Sequence, residues 1–365
     1  MILNTKKIVD SSNTQKIFFG KYSGFQRFDQ YRYPFAKNIE EKMRQSFWNP
    51  SEIGLNADRV KFPDLPQHAQ DILTRNLLFQ TLMDSAQARG LSEVLSSMCT
   101  DPTWEMVLST QSYFERIHSL SYSHILREVF PDATAVFDQI ETFSEITSRI
   151  NKEIQAYDNI GTWDDGVSTA STEIKKQEIL ELITRIYALE SLKFYVSFLV
   201  TYLINEGYGN KIQGITRIIK LINFDEDQHV SVFAGLISIL KKNKKEGFQD
   251  LFTSGWFGKR AREIFAEVAM DELSWGDYLL SIGNVPSLTK GVLKEFIEYF
   301  ADKRLGQLGV DQLFHAKKTD TVTWFENYKD IDNSAVKMQE AEGLAYNIGI
   351  LTNDIEDGIM EVKRG

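Results

Sequence analysis

Two short patterns in the sequence set a carboxylate and an imidazole three residues apart: Glu115 with His118, and Glu226 with His229. On a helix, side chains at that spacing share a face, with Cβ atoms roughly 5–6 Å apart, so each pair can close on one metal ion. A single pair is weak, because Glu and His also meet this way as surface partners. Two pairs, using two of only five histidines, point to a shared site. A four-helix di-metal site also needs a carboxylate from each of two other helices. Asp84, in Leu82-Met83-Asp84-Ser85, and Glu190, in Ala188-Leu189-Glu190-Ser191, meet that need. Both lie in apolar stretches where an unpaired charge is costly, and each precedes its Glu-x-x-His pair by about a helix and a turn. The competing explanation is ion pairing with Arg89 and Lys193 on the same helices. Oxygen donors with two imidazoles suit iron first and manganese second; structural zinc prefers sulfur, and calcium prefers oxygen throughout. One helical turn from these positions stand Tyr122, Phe194 and Ile222, and two turns from Glu190 stands Phe198. A phenol beside a redox metal pair, shielded by Phe and Ile, is a place where a tyrosyl radical can form and persist.

The elements that must hold these residues are helices. Apolar residues recur at three- and four-residue steps over 67–90, and a second long segment, 103–130, is bordered by Pro102 and Pro131, as suits helix ends. Residues 132–160 are more weakly helical, and 161–172 form a Gly/Ser/Thr/Asp loop that reads as a long crossover. Two further long helices are expected over 173–206 and 211–243, packed antiparallel around Gly207-Tyr208-Gly209-Asn210, and two more over 260–282 and 288–308. The region 309–333 looks irregular. The domain reading is an N-terminal arm with short helices at 1–65, a helical domain at 66–333 and a polar, mobile tail at 334–365.

Composition narrows the function classes. A formal charge of −10 and the lack of a long basic run oppose a nucleic-acid partner. The basic cluster at Lys241, Lys242, Lys244 and Lys245 suits a solvated helix C-terminus. The longest apolar run, Phe194 to Ile204, is 11 residues, short of the ~20 that span a bilayer. It reads as a buried helix, and no export signal is visible, so no membrane and a cytoplasmic location are expected. Cys99 is the only cysteine, which excludes an internal disulfide, a Cys-based zinc site and a dithiol pair. Neither a P-loop nor a G-x-G-x-x-G motif occurs.

In combination and order, five segments carry a resemblance: Ser46-Phe47-Trp48-Asn49-Pro50, Gln80-Thr81-Leu82-Met83-Asp84-Ser85, Phe114-Glu115-Arg116-Ile117-His118-Ser119-Leu120-Ser121-Tyr122-Ser123-His124, the stretch from Leu189 to Phe198, and Asp225-Glu226-Asp227-Gln228-His229. The chain resembles the radical-generating small subunit of class I ribonucleotide reductase. The resemblance implies an all-α, ferritin-like helical bundle with additional helices around a four-helix di-metal core. It implies that Asp84, Glu115, His118, Glu190, Glu226 and His229 bind two iron ions, that Tyr122 becomes the radical after reaction with O2, and that Phe194, Phe198 and Ile222 form its pocket. Trp48 and Asp225 are implied in moving electrons and protons, and Tyr346, in Tyr346-Asn347-Ile348-Gly349, in relaying the radical to a large subunit. A homodimer is implied as well. Reducing a ribose by the family route needs a thiyl radical and a dithiol, which Cys99 alone cannot supply, so a cysteine-bearing large subunit is required. Two positions depart from the family pattern. Nothing after Tyr346 is aromatic, and Gln111 stands where relatives often carry tryptophan. Competing functions are a di-iron oxygenase or ligand-binding oxidase on the same bundle and, from another class, an iron-storage or structural helical protein.

Overall fold

The computed structural model describes residues 16–20, 28–29, 31–161 and 171–330. Its described elements are helical, apart from one isolated bridge between Phe18 and Cys99. The helices that matter for the site are α1 (Pro34–Gln45), α2 (Asn56–Lys61), α3 (Gln67–Arg89), α4 (Pro102–Val129), α5 (Asn151–Gly161), α6 (Thr172–Ala188), α7 (Tyr195–Gly207), α8 (Gln213–Lys242), α9 (Trp256–Ile282), α10 (Lys290–Gln307) and α11 (Asp320–Lys329).

Local sequence explains where the long helices begin and end. α4 starts where the Asp101 carboxylate accepts the N–H groups of Thr103 and Trp104 and Pro102 fills the first helical position, which has no use for an N–H. The turn between α7 and α8 needs left-handed backbone at Gly209 and Asn210, with φ of 78° and 57°, which glycine and asparagine tolerate. α3, α4, α8 and the α6–α7 stretch pack against one another, with α9 and α10 across the outside. Their facing sides are fully buried by Leu73, Leu77, Phe79, Leu108, Ile125, Ile183, Leu199, Ile219 and Phe233, among others.

The structure corrects three expectations. The segment 173–206 is not one regular α-helix: α6 and α7 are joined by a π-helical turn, Leu189–Lys193, that inserts an extra residue. α3 likewise runs on into a second π-helical turn, Gly90–Leu95. The region 309–333 holds a regular helix, α11, capped by the Thr319 hydroxyl and anchored by buried Val322 and Phe325. Together α6, the π turn and α7 make a 36-residue helical stretch long and apolar enough to cross a membrane, yet its most apolar window is wholly buried inside the fold. Most of the expected crossover, the tail at 334–365 and Tyr346 lie outside the described residues.

Candidate metal centre

Asp84 comes from α3, Glu115 and His118 from α4, Glu190 from the π turn after α6, and Glu226 and His229 from α8. All six are fully buried. Their potential ligand atoms form two overlapping groups, each within 4.8 Å: Asp84, Glu115, His118 and Glu226, and Glu115, Glu190, Glu226 and His229. Glu115 and Glu226 belong to both. Each imidazole aims Nδ1 into the cluster. His118 Nδ1 lies 3.4 Å from Glu115 Oε2, 3.2 Å from Glu226 Oε1 and 3.8 Å from Asp84 Oδ2. His229 Nδ1 lies 3.1 Å from Glu115 Oε1 and 3.0 Å from Glu226 Oε2. The rings are 5.7 Å apart.

Ion pairing does not explain the two isolated carboxylates. Arg89 turns to Glu93 at 3.7 Å, and Lys193 is held by Glu153 at 2.9 Å. Both oxygens of Asp84, Oε2 of Glu115, Oε2 of Glu190 and Oε1 of Glu226 have no hydrogen-bond donor. Buried carboxylate oxygens without donors are expensive, and four carboxylates balance the charge of two divalent cations. The donor set therefore fits a pair of such ions.

The electrostatics of the cluster agree. Burial, then the charge of Glu115, pushes the Asp84 carboxyl well above its usual range, and the same two causes raise Glu190. Burial alone would lower both histidines. The nearby carboxylates of Asp225, Glu115 and Glu226 override it at His118, and the charges of Glu115 and Glu226 bring His229 up to about 10. Burial opposes charge on Glu226 too, but His229 and His118 hold its carboxyl below the usual range. Protons and imidazoles thus do in part what divalent ions would do in full.

Behind His118 runs a line of contacts toward the surface. Its Nε2 lies 3.1 Å from Asp225 Oδ2, which also accepts the Trp48 indole N–H at 2.8 Å; both partners are buried, while Phe47, next to Trp48, is exposed. Behind Glu190 stand two amides. Gln87 donates to Glu190 Oε1 at 2.7 Å and Gln111 to the same oxygen at 3.1 Å, with Glu115 Oε1 3.5 Å from Gln111. The Tyr157 hydroxyl donates to Gln87 Oε1 at 2.9 Å. Gln87 and Tyr157 are not legible in the sequence, since neither an amide in an apolar helix nor a tyrosine 70 positions away announces a partner.

Tyr122 is fully buried, and its hydroxyl faces Asp84 without completing a hydrogen bond. Burial, then the negative charge of Asp84 and Glu226, pushes the phenol well above its ordinary value. Phe194, Phe198 and Ile222 are each fully buried as well, with the two phenylalanine rings stacked at 5.9 Å.

The sequence matches the family described as "Ribonucleotide reductase, small chain" over residues 26–321. It is 30% identical over 362 residues to the ribonucleoside-diphosphate reductase subunit beta of Buchnera aphidicola subsp. Baizongia pistaciae, covering 95% of each chain. Among solved structures it superposes on the ribonucleotide reductase R2 subunit from Clostridium botulinum with a TM-score of 0.79 at 24% identity, covering 91% of this chain and 98% of that one. The dimanganese(II)-NrdF of Streptococcus sanguinis shares the fold at a TM-score of 0.64 and 20% identity, over 82% of this chain and 98% of that one. Sequence and fold agree that the chain belongs to the ribonucleotide reductase small-chain family.

Proposed function

We propose that this chain is the radical-generating small subunit of a ribonucleoside-diphosphate reductase, in which Tyr122 is oxidised beside a di-iron site and its oxidising equivalent is lent to a large subunit that reduces ribonucleotides to deoxyribonucleotides. The observation that carries the reading is a closed cluster of six buried ligands facing a buried phenol. Asp84, Glu115, His118, Glu190, Glu226 and His229 would hold the ions, with Glu115 and Glu226 shared between them. Iron bound there, with O2 as co-substrate, supplies the oxidising power.

The residues account for the rest. A phenol whose proton is held this tightly does not ionise near neutral pH, so Tyr122 must give up its electron and its proton together. Asp84 is the carboxylate its hydroxyl faces and the nearest place for that proton. Loss of one electron and one proton leaves a neutral radical, and the buried Phe194, Phe198 and Ile222 keep water and reductants away from it. Trp48, Asp225 and His118 form a hydrogen-bonded path by which an electron reaches the site while Asp225 holds the bridging protons. Tyr346 is the proposed relay to the large subunit, and the working assembly is a homodimer. The same oxygen-rich donor set accepts manganese, so metal analysis of protein from its native cell decides between the two.

The test is reconstitution. Iron-loaded chain mixed with a cysteine-bearing large subunit is expected to convert ribonucleoside diphosphate to its deoxy form, and neither chain alone should do so. Product from this chain alone, or none from the pair, contradicts the reading.

A further inference from the structure

A cavity of about 310 Å³ lies beside α3 and α5, lined by Gln87 and by Leu189, the chain neighbour of Glu190. Its inner wall includes Gln87, which donates to Glu190 Oε1 at 2.7 Å, and Tyr157, which donates to Gln87. One hydrogen bond therefore separates the cavity lining from a ligand carboxylate. Tyr157 packs so closely on Gly90 that a Cβ there would fall 2.3 Å from its ring, so glycine at the start of the second π turn is what lets the ring form this wall. At the rim stand Glu93, Asp158 and Arg89, with acid in excess. The decisive residue is Glu153. It lines the cavity at only 4% exposure; Lys193 holds its Oε1 at 2.9 Å, while its Oε2 is buried without any donor.

We infer that this cavity is the passage by which divalent cations reach the cluster, with Glu153 Oε2 as a transient ligand between the acidic rim and Glu190. A cleft with an excess of one sign of charge and low-dielectric walls concentrates counter-ions and speeds their capture; here Glu93, Asp158 and Glu153 outnumber Arg89. A free carboxylate oxygen partway along gives a cation that has shed water a partner it would otherwise lack. Lys193 offsets part of that charge, which keeps the contact weak. Weak binding suits a passage, because an ion held tightly at Glu153 would not move on. The inference rests on the reading of the cluster as a two-metal site.

The test uses full-length, metal-free protein and Mn(II), whose free-ion electron paramagnetic resonance signal disappears on binding and which avoids oxidation by O2. Glu153→Gln keeps the side chain's shape and its contact with Lys193 but removes the charge. Uptake should slow by about tenfold, at the lower end of what electrostatic focusing gives, with final occupancy unchanged at two ions per chain. Ile154→Trp, at a half-exposed position on the cavity wall, narrows the mouth without altering charge and should slow uptake in the same way. Wild-type uptake rates in these variants overturn the inference, as does a lower final occupancy in Glu153→Gln, which would make Glu153 a support of the site. If the wild-type chain itself fails to take up two ions, the two-metal reading falls instead.

Discussion

Behind His118, Asp225 Oδ2 at 3.1 Å joins the ring to the indole of Trp48, a residue away from exposed Phe47. Behind Glu190, on the other side of the shared Glu115 and Glu226, two neutral amides close on a single carboxylate oxygen, and a tyrosine hydroxyl donates to one of those amides. The two halves of the cluster present similar ligands and differ in what supports them. An imidazole backed by a carboxylate and an indole is suited to carrying charge in and out. A carboxylate held by amides through one oxygen, with the other left free, is suited to being aimed. Glu190 stands within the π turn, whose inserted residue shifts the side-chain phase between α6 and α7.

Breaking what the halves share should have the largest effect. Glu115→Ala or Glu226→Ala removes a ligand from both groups, and metal analysis should find occupancy falling from two ions toward none. Asp84→Ala should spare the ion on the His229 side. Retention of one ion in Glu115→Ala would show that the carboxylate is not shared.

The path behind His118 comes next. Trp48→Phe deletes the indole N–H but no ligand, and turnover with the large subunit should fall by about 10–100-fold, as for outer partners of metal ligands generally. Metal content and the Tyr122 radical should survive. Loss of metal in that variant would make Trp48 a packing residue.

Acid should act on both halves. In the metal-free protein His229 keeps its proton up to about pH 10, and His118 is raised as well. A folded value above the unfolded one stabilises the metal-free fold fully below the ordinary histidine range, and that stabilisation is lost as pH rises through about 10. Metal needs neutral imidazoles, so its binding should release protons and weaken as pH falls. Titration calorimetry at two pH values, in buffers of different ionisation heat, reads both; a pH-independent affinity would contradict the picture.

The smallest effects lie behind Glu190. Gln111→Leu should lower affinity for the His229-side ion by about tenfold, near the lower end for outer partners, and leave the other ion untouched. Tyr157→Phe, one hydrogen bond further out, should cost about 1 kcal/mol or less. Equal weakening of both ions by Gln111→Leu would erase the distinction between the halves.

How far the sequence reveals this arrangement follows from the kind of signal each part leaves. Asp84 and Glu190 were legible because charge inside an apolar run has few explanations, and α3, α4 and α8 because apolar residues recur at helical steps. A π turn leaves no such mark: it shifts the phase by one residue without changing composition, so 173–206 read as one helix. Gln111 stands out in the sequence only as a departure from family pattern, and its two carboxylate contacts follow from the fold. α11 did carry a readable signal, Thr319 as cap with Val322 and Phe325 three apart, but its polar surroundings hid it.

Electron paramagnetic resonance of the reconstituted protein tests the central claim most directly. Ferrous iron and O2 added to the metal-free chain should give a tyrosyl signal that disappears in Tyr122→Phe while iron stays bound. A signal that persists in that variant, or its absence from a wild-type chain loaded with two irons, would contradict the account.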